Sequence, residues 1–183
     1  APDPLGDGPN DHELWRWNHD TQQWTEFTDL LPTSKKDPYP YSYDKDLEYD
    51  GFTTQKGYDQ VISVHPSNDN VIFIGGVNLW RIDVSKNEKD RIGGFLYNGN
   101  DINQGVTHHA DQHSIFFKSS NGGVMYVGSD GGIHRTDDNM AGSVQWTSLN
   151  TGYQTNQFYT VCAHPTDQRI AGGMQDNGSV STS

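Results

Sequence analysis

The sequence predicts an all-β protein assembled from repeated small sheets. Three observations predict it. Short runs rich in Val, Ile, Phe, Tyr and Trp dominate, each bounded by Gly, Asn, Asp, Ser or Pro: Leu14–Trp17, Val61–Val64, Val71–Ile74, Ile115–Phe117, Val124–Val127 and Phe158–Ala163. No segment of twelve or more residues keeps apolar residues at helical spacing. Aromatics reach 11% and glycines number 20, the profile of a turn-rich β protein rather than of a helical bundle or a disordered tail.

Taken in order, the chain opens with an irregular arm over 1–12, where Pro2, Pro4, Pro9, Gly6 and Gly8 break any regular element. Two strands follow at about 13–27. A long insert at 30–58 carries Tyr39, Tyr41, Tyr43, Tyr49 and Tyr58 among many acids. A second strand group spans about 58–97. A shorter insert, 98–109, leads to a third group at about 111–149 and a fourth at about 157–183. Inserts of this length sit over a binding face or at a partner contact, or are simply solvated.

Self-comparison exposes the repeat. Val64–Gly75 aligns without a gap on Phe117–Gly128, an offset of 53 residues, and both read strand, polar turn, strand, glycine. Ala163-His164-Pro165 starts a third copy, and its His-Pro marks the same turn as His65-Pro66. Leu79-Trp80-Arg81 matches Ile133-His134-Arg135, with Trp15-Arg16 as an earlier copy. Trp24-Thr25 matches Trp146-Thr147. A period near 50 with four short strands per unit is what a β-propeller blade needs, because such a sheet must stack on its neighbours to bury its faces. The expectation is therefore a partial propeller of four-stranded blades. It has two fairly whole units and two partial ones, and blades of the same protein are implied as partners. Trp24, Trp80 and Trp146 recur at equivalent positions and are expected to be packing residues.

Composition narrows the function classes. The formal net charge is −12, which argues against a nucleic-acid backbone or an anionic membrane surface as the main partner. No apolar run approaches the ~18 residues that span a bilayer. No signal peptide stands at Ala1, so a secreted protein is expected here in processed form. Cys162, the single cysteine, rules out a disulfide within the chain and is expected to be buried.

The repeats carry a recognisable lettering: Gly128-Ser129-Asp130-Gly131-Gly132-Ile133-His134-Arg135-Thr136, then Trp146-Thr147-Ser148, Gln157-Phe158-Tyr159 and Gly173-Met174-Gln175-Asp176-Asn177-Gly178, with His109-Ala110-Asp111-Gln112-His113 upstream. Over about Tyr58–Ser179 this resembles the secreted BNR/Asp-box propellers related to sortilin-type domains and xyloglucanase-type glycoside hydrolases. It is most similar to large Bacteroidota exoproteins exported by type IX secretion. The Asp-box is loose: Thr136, Asp138, Gly142 and Trp146 keep its residues at stretched spacing, and Asp83–Asn87 is followed by no tryptophan. That box is a turn device and speaks for fold, not catalysis. The resemblance implies an extracellular or cell-surface module that binds polysaccharide or protein. The alternatives are a glycoside hydrolase and a protein-recognition scaffold.

Candidate residues follow from chemistry. On a strand, period-two alternation would put His109, Asp111 and His113 on one face and His108 and Gln112 on the other. Two imidazoles and a carboxylate suit a divalent transition ion, or hydrogen bonds across a channel. Asp130 and the Gln175-Asp176-Asn177-Gly178 turn offer polar groups at a rim, for a ligand or for the turn itself. Asp111, Asp130 and Asp176 are the candidate acids for glycosidic cleavage, which needs two carboxyls ~5–9.5 Å apart. Asp46, Glu48 and Asp50 alternate oxygens before Gly51 and suggest calcium, although the acid expected eleven residues after Asp46 is Gly57. A divalent cation is the one cofactor these residues raise.

Overall fold

The computed structural model describes residues 12–32, 52, 54–55, 57–94, 108–118, 122–153, 157–175 and 178–182. The protein is all-β. Among the described residues, thirteen antiparallel strands form four sheets, and the helical content is one 3-10 turn, Thr28–Leu30. The chain divides into two compact units, Ala1–Leu149 and Asn150–Ser183.

In the first unit, β1 (Trp15–Asn18) and β2 (Gln23–Glu26) make a hairpin. After the 3-10 turn the chain reaches Pro32. The amide of Phe52 donates to the Pro32 carbonyl at 3.0 Å, so two positions within the long insert meet. Next comes a four-stranded meander: β3 (Val61–His65), β4 (Asn68–Gly75), β5 (Leu79–Asp83) and β6 (Glu88–Gly93). A second meander has the same order: β7 (Gln112–Phe117), β8 (Met125–Ser129), β9 (Gly132–Thr136) and β10 (Thr147–Ser148).

The central strands of the first meander, β4 and β5, are buried on both faces, which explains the unbroken apolar run Val71–Ile74. Ile72, Ile74, Trp80 and Ile82 pack with Leu14, Leu30, Leu31 and Phe52. Val71, Phe73, Leu79 and Ile92 turn the other way, onto Met125, Val127, Val144 and Trp146 of the second meander. Polar ties cross this second interface. Trp146 Nε1 donates to the Ile92 carbonyl at 2.6 Å. Arg81, 8% exposed, donates to the Asn139 carbonyl at 2.8 Å, to the Ala141 carbonyl at 3.0 Å and to Asp90 at 2.7 Å.

Local turn chemistry repeats where the sequence repeats. The His65 Nδ1 accepts the Ser67 amide at 3.2 Å, and the His164 Nδ1 accepts the Thr166 amide at 3.3 Å. Asp138 accepts the Met140 amide at 3.0 Å, and Asp83 accepts the Ser85 amide at 3.0 Å. The carboxylate turn thus persists even in the unit without its tryptophan. The Ser85 hydroxyl bond is the main reason that the Asp83 pKa is lowered.

Trp80 and Trp146 are buried, but Trp24 is 62% exposed, so the packing expectation fails there. Its strand β2 belongs to a two-stranded hairpin whose tryptophan face no described residue covers.

The second unit is one three-stranded sheet, β11 (Phe158–Ala163), β12 (Ile170–Met174) and β13 (Ser179–Ser181). Cys162 is exposed, contrary to expectation. The described residues of the unit form a single layer, and none of them closes over the strand.

Candidate functional site

The site forms where the second meander begins. Gly75 lets β4 approach β7: a Cβ there would lie 2.6 Å from the Gln112 Cβ. The gap permits Gln112 to donate to the Gly76 carbonyl at 2.8 Å and Asp111 to the Val77 carbonyl at 2.9 Å. Asp111 takes a left-handed backbone, φ 63°, which Asp tolerates better than most residues. The amide of Asp130, in the β8–β9 turn, donates to the Asp111 carbonyl at 3.2 Å.

Side chains converge on this frame. His113 Nε2 lies 2.5 Å from Asp130 Oδ1, and its Nδ1 lies 3.7 Å from Asp59 Oδ1. Gln55 donates to Asp111 Oδ1 at 2.9 Å. The exposed Tyr58 ring meets the His113 ring edge-on, with centroids 5.5 Å apart.

Asp59 is the unexpected member. It is fully buried, 0% exposed, and neither carboxyl oxygen has a hydrogen-bond donor among the described residues. Burial, then the neighbouring Asp111 charge, pushes its pKa up to about 6, against the pull of His113. Burial, then Asp130, raises Asp111 too, while its hydrogen bond with Asp59 lowers it. A fully buried carboxyl beside a second, partly exposed one ionises only at a cost, so below about pH 6 Asp59 keeps a proton that it can turn toward Asp111.

Asp59→Asn gives Asp111 an N–H donor at every pH. Its expected effect is a stability gain of about 1–2 kcal/mol near pH 7.5. The wild-type folded pKa lies above the unfolded value of 3.8, so wild-type stability is full below 3.8 and is lost as pH rises through about 6. The variant's advantage should therefore fade toward pH 4. Urea unfolding at both pH values checks this, and an equal difference at both refutes the shared proton.

Of the sequence candidates, Asp111, His113 and Asp130 come together. His109 lies near enough for its charge to act on Asp111, but its ring is engaged elsewhere. Its Nδ1 sits 3.0 Å from the Ala110 carbonyl, and its ring leans on Gly131, where a Cβ would lie 2.3 Å away. The expected alternation across 109–113 breaks for two reasons. The left-handed Asp111 precedes the strand, and the β7–β8 register shifts between Gln112 and Ser114. The metal set His109, Asp111 and His113 is accordingly not assembled, and no group of three or more His, Cys, Asp or Glu among the described residues is placed to hold a metal ion. Gln175 lies in the second unit, where its amide donates to the Gln157 carbonyl at 2.9 Å. Asp176 and Asn177, and the calcium candidates Asp46, Glu48 and Asp50, lie outside the described residues.

His108 and Gln112 do turn inward, at 4% and 0% exposure. The His108 ring packs 4.9 Å from His134 and 4.4 Å from Trp146. Both its nitrogens lack partners among the described residues, and burial, then His134, pushes its pKa down to about 3. The His134 pKa is lowered as well, by burial and then by His109.

Asp59 escaped sequence reading because it stands just past the acid-rich insert, and nothing in its spacing marks it as buried. No protein-family model matches the chain, and no curated protein matches it in sequence.

Proposed function

We propose that the chain is part of a β-propeller in a larger secreted or cell-surface protein, and that this propeller binds polysaccharide at the Asp111–Asp130–His113 cluster. The observation that carries the reading is the cluster itself. Carboxylates and an imidazole that bond hydroxyl groups stand beside an exposed aromatic ring, Tyr58, able to stack on a sugar. Two successive four-stranded meanders packed face to face support the propeller, together with apolar side chains such as Phe116 and Ile133 left exposed on the second. The extracellular placement rests on the resemblance to BNR/Asp-box exoproteins.

Binding is favoured over glycoside hydrolysis on geometric grounds. Asp59 has the raised pKa of a general acid, but it is fully buried and cannot reach a substrate. The alternative of a protein-recognition scaffold predicts co-purifying partners and no glycan signal.

A glycan array with parallel reducing-sugar release separates these readings. Binding without release is expected, weakened about tenfold or more by Asp130→Ala or Tyr58→Ala, which lose one charge-assisted bond or one stacking face. Release abolished by Asp111→Ala or Asp130→Ala would instead establish an enzyme.

A further inference from the structure

The cluster around His113 is short of positive charge. Asp59, Asp111 and Asp130 stand close enough for the charge of Asp130 to act on both of the others. The charges that oppose them at Asp59 and Asp111 come from the imidazoles of His113 and His109, which are cationic only when protonated, and not from a permanent lysine or arginine charge. Three carboxyls therefore face one another across groups that neutralise them only in part.

Asp59 sharpens the deficit. It is fully buried, and among the described residues neither of its oxygens has a hydrogen-bond donor. Its Oδ1 lies 3.7 Å from His113 Nδ1, while His113 Nε2 meets Asp130 on the other side of the ring. Asp59 thus backs the cluster from beneath, where water and salt screen its charge little. The other members open outward: the side chains of His113 and Asp130 are partly exposed, and Tyr58 is 66% exposed. A buried carboxyl without a donor, aimed at an open and negatively charged rim, calls for a cation from solvent. These carboxyls are not placed to converge on one metal ion. An ammonium group makes no such demand, because its three donors can reach separate acceptors.

We infer that the ligand of the Asp111–Asp130–His113 cluster is a cationic amino sugar, a polysaccharide with unacetylated glucosamine-type units, rather than a neutral or an acidic one. The inference rests on the glycan reading above and names its ligand class. The sugar ammonium pairs with Asp130 at the opening, in a charge-assisted bond that a hydroxyl cannot match. The Tyr58 ring takes the apolar side of the sugar and attracts the cation beside it. A uronate or sulfated polymer would bring like charge against three carboxyls and is rejected.

The test uses the 183-residue chain and calorimetry at low salt and mildly acidic pH, where a sugar amine is charged. The ligands are the β-1,4-linked glucosamine tetramer, its N-acetylated form, cellotetraose and tetragalacturonate. Cellotetraose carries a hydroxyl where the first carries an amine, so it separates charge from shape. The glucosamine tetramer is expected to bind at least about tenfold more tightly than the two neutral sugars, with the uronate weakest. Asp130→Asn, nearly isosteric, should bring the glucosamine tetramer down to the level of cellotetraose. Tyr58→Ala should weaken the amino and neutral sugars together. An unchanged circular dichroism spectrum is the folding control for both variants. Equal affinity for amino and neutral sugars overturns the inference and leaves the glycan reading standing, whereas no binding of any tetrasaccharide overturns both. A preference that survives Asp130→Asn would trace to the net charge of −12 on the whole chain and overturn the inference. Tetralysine bound as tightly as the glucosamine tetramer, with no effect of Tyr58→Ala, would assign the cluster to a protein amine and overturn it too.

Discussion

Arg81→Met is expected to lower the stability of the first unit by about 3 kcal/mol, the largest loss foreseen for a single substitution here. The guanidinium sits between the two meanders with 8% of the residue exposed, and it satisfies the carbonyls of Asn139 and Ala141 while pairing with Asp90. Met fills much of the same volume, so the loss reports the hydrogen bonds rather than a cavity. It leaves two carbonyls short of a donor and Asp90 without its counter-ion. Asp90 is more than half exposed and rehydrates readily, so most of the cost falls on the carbonyls. Arg81→Lys should recover only part of it, because one ammonium cannot span three acceptors in a planar fork. Urea unfolding of the three proteins checks the order wild type, Lys, Met. A Met variant within about 0.5 kcal/mol of wild type would show that the bridge contributes little.

The second large effect is an acid limb in stability. The His108 pKa is pushed down to about 3 in the folded state, against 6.5 for a free imidazole. Below pH 6.5 the unfolded chain therefore takes up a proton that the folded chain refuses. Stability is full above 6.5 and falls by about 1.4 kcal/mol per pH unit until the folded pKa is reached. His134 adds in the same direction. Asp59 acts oppositely between about 6 and 3.8, since its folded form gains the proton first. His108→Phe keeps a ring against Trp146 and removes the titration. Its absolute stability will shift through packing, so the readout is the slope between pH 6.5 and 4, expected to lose about one proton of uptake. An unchanged slope would mean that His108 is not held neutral.

The legible part of this fold is the local part. Valine-rich runs between Gly, Asn and Pro marked the strands, and the Val64–Gly75 and Phe117–Gly128 alignment picked out two real hairpins, β3–β4 and β7–β8. His65-Pro66 and His164-Pro165 read correctly as one turn, since an imidazole two residues before an amide is local chemistry. Asp111, His113 and Asp130 were legible as polar residues around strand ends. What escaped was tertiary. Asp59 became a site residue because the fold brings it beside Asp111, 52 positions downstream. The face assignment of His109 failed because one left-handed residue and one register shift undo strict alternation. Trp24 and Cys162 were misjudged because their exposure depends on which layers lie over their sheets, and no single strand encodes that.

The contact between Pro32 and Phe52 has a practical consequence. Leu31 and Phe52 in the core and the backbone bond between Pro32 and Phe52 hold positions 32 and 52 side by side, whatever length of chain joins them. Doubling the length of a connection costs only about 0.6 kcal/mol of closure entropy. Foreign epitopes, reporters or shortened linkers placed between these two positions are therefore expected to leave the sheets on either side intact.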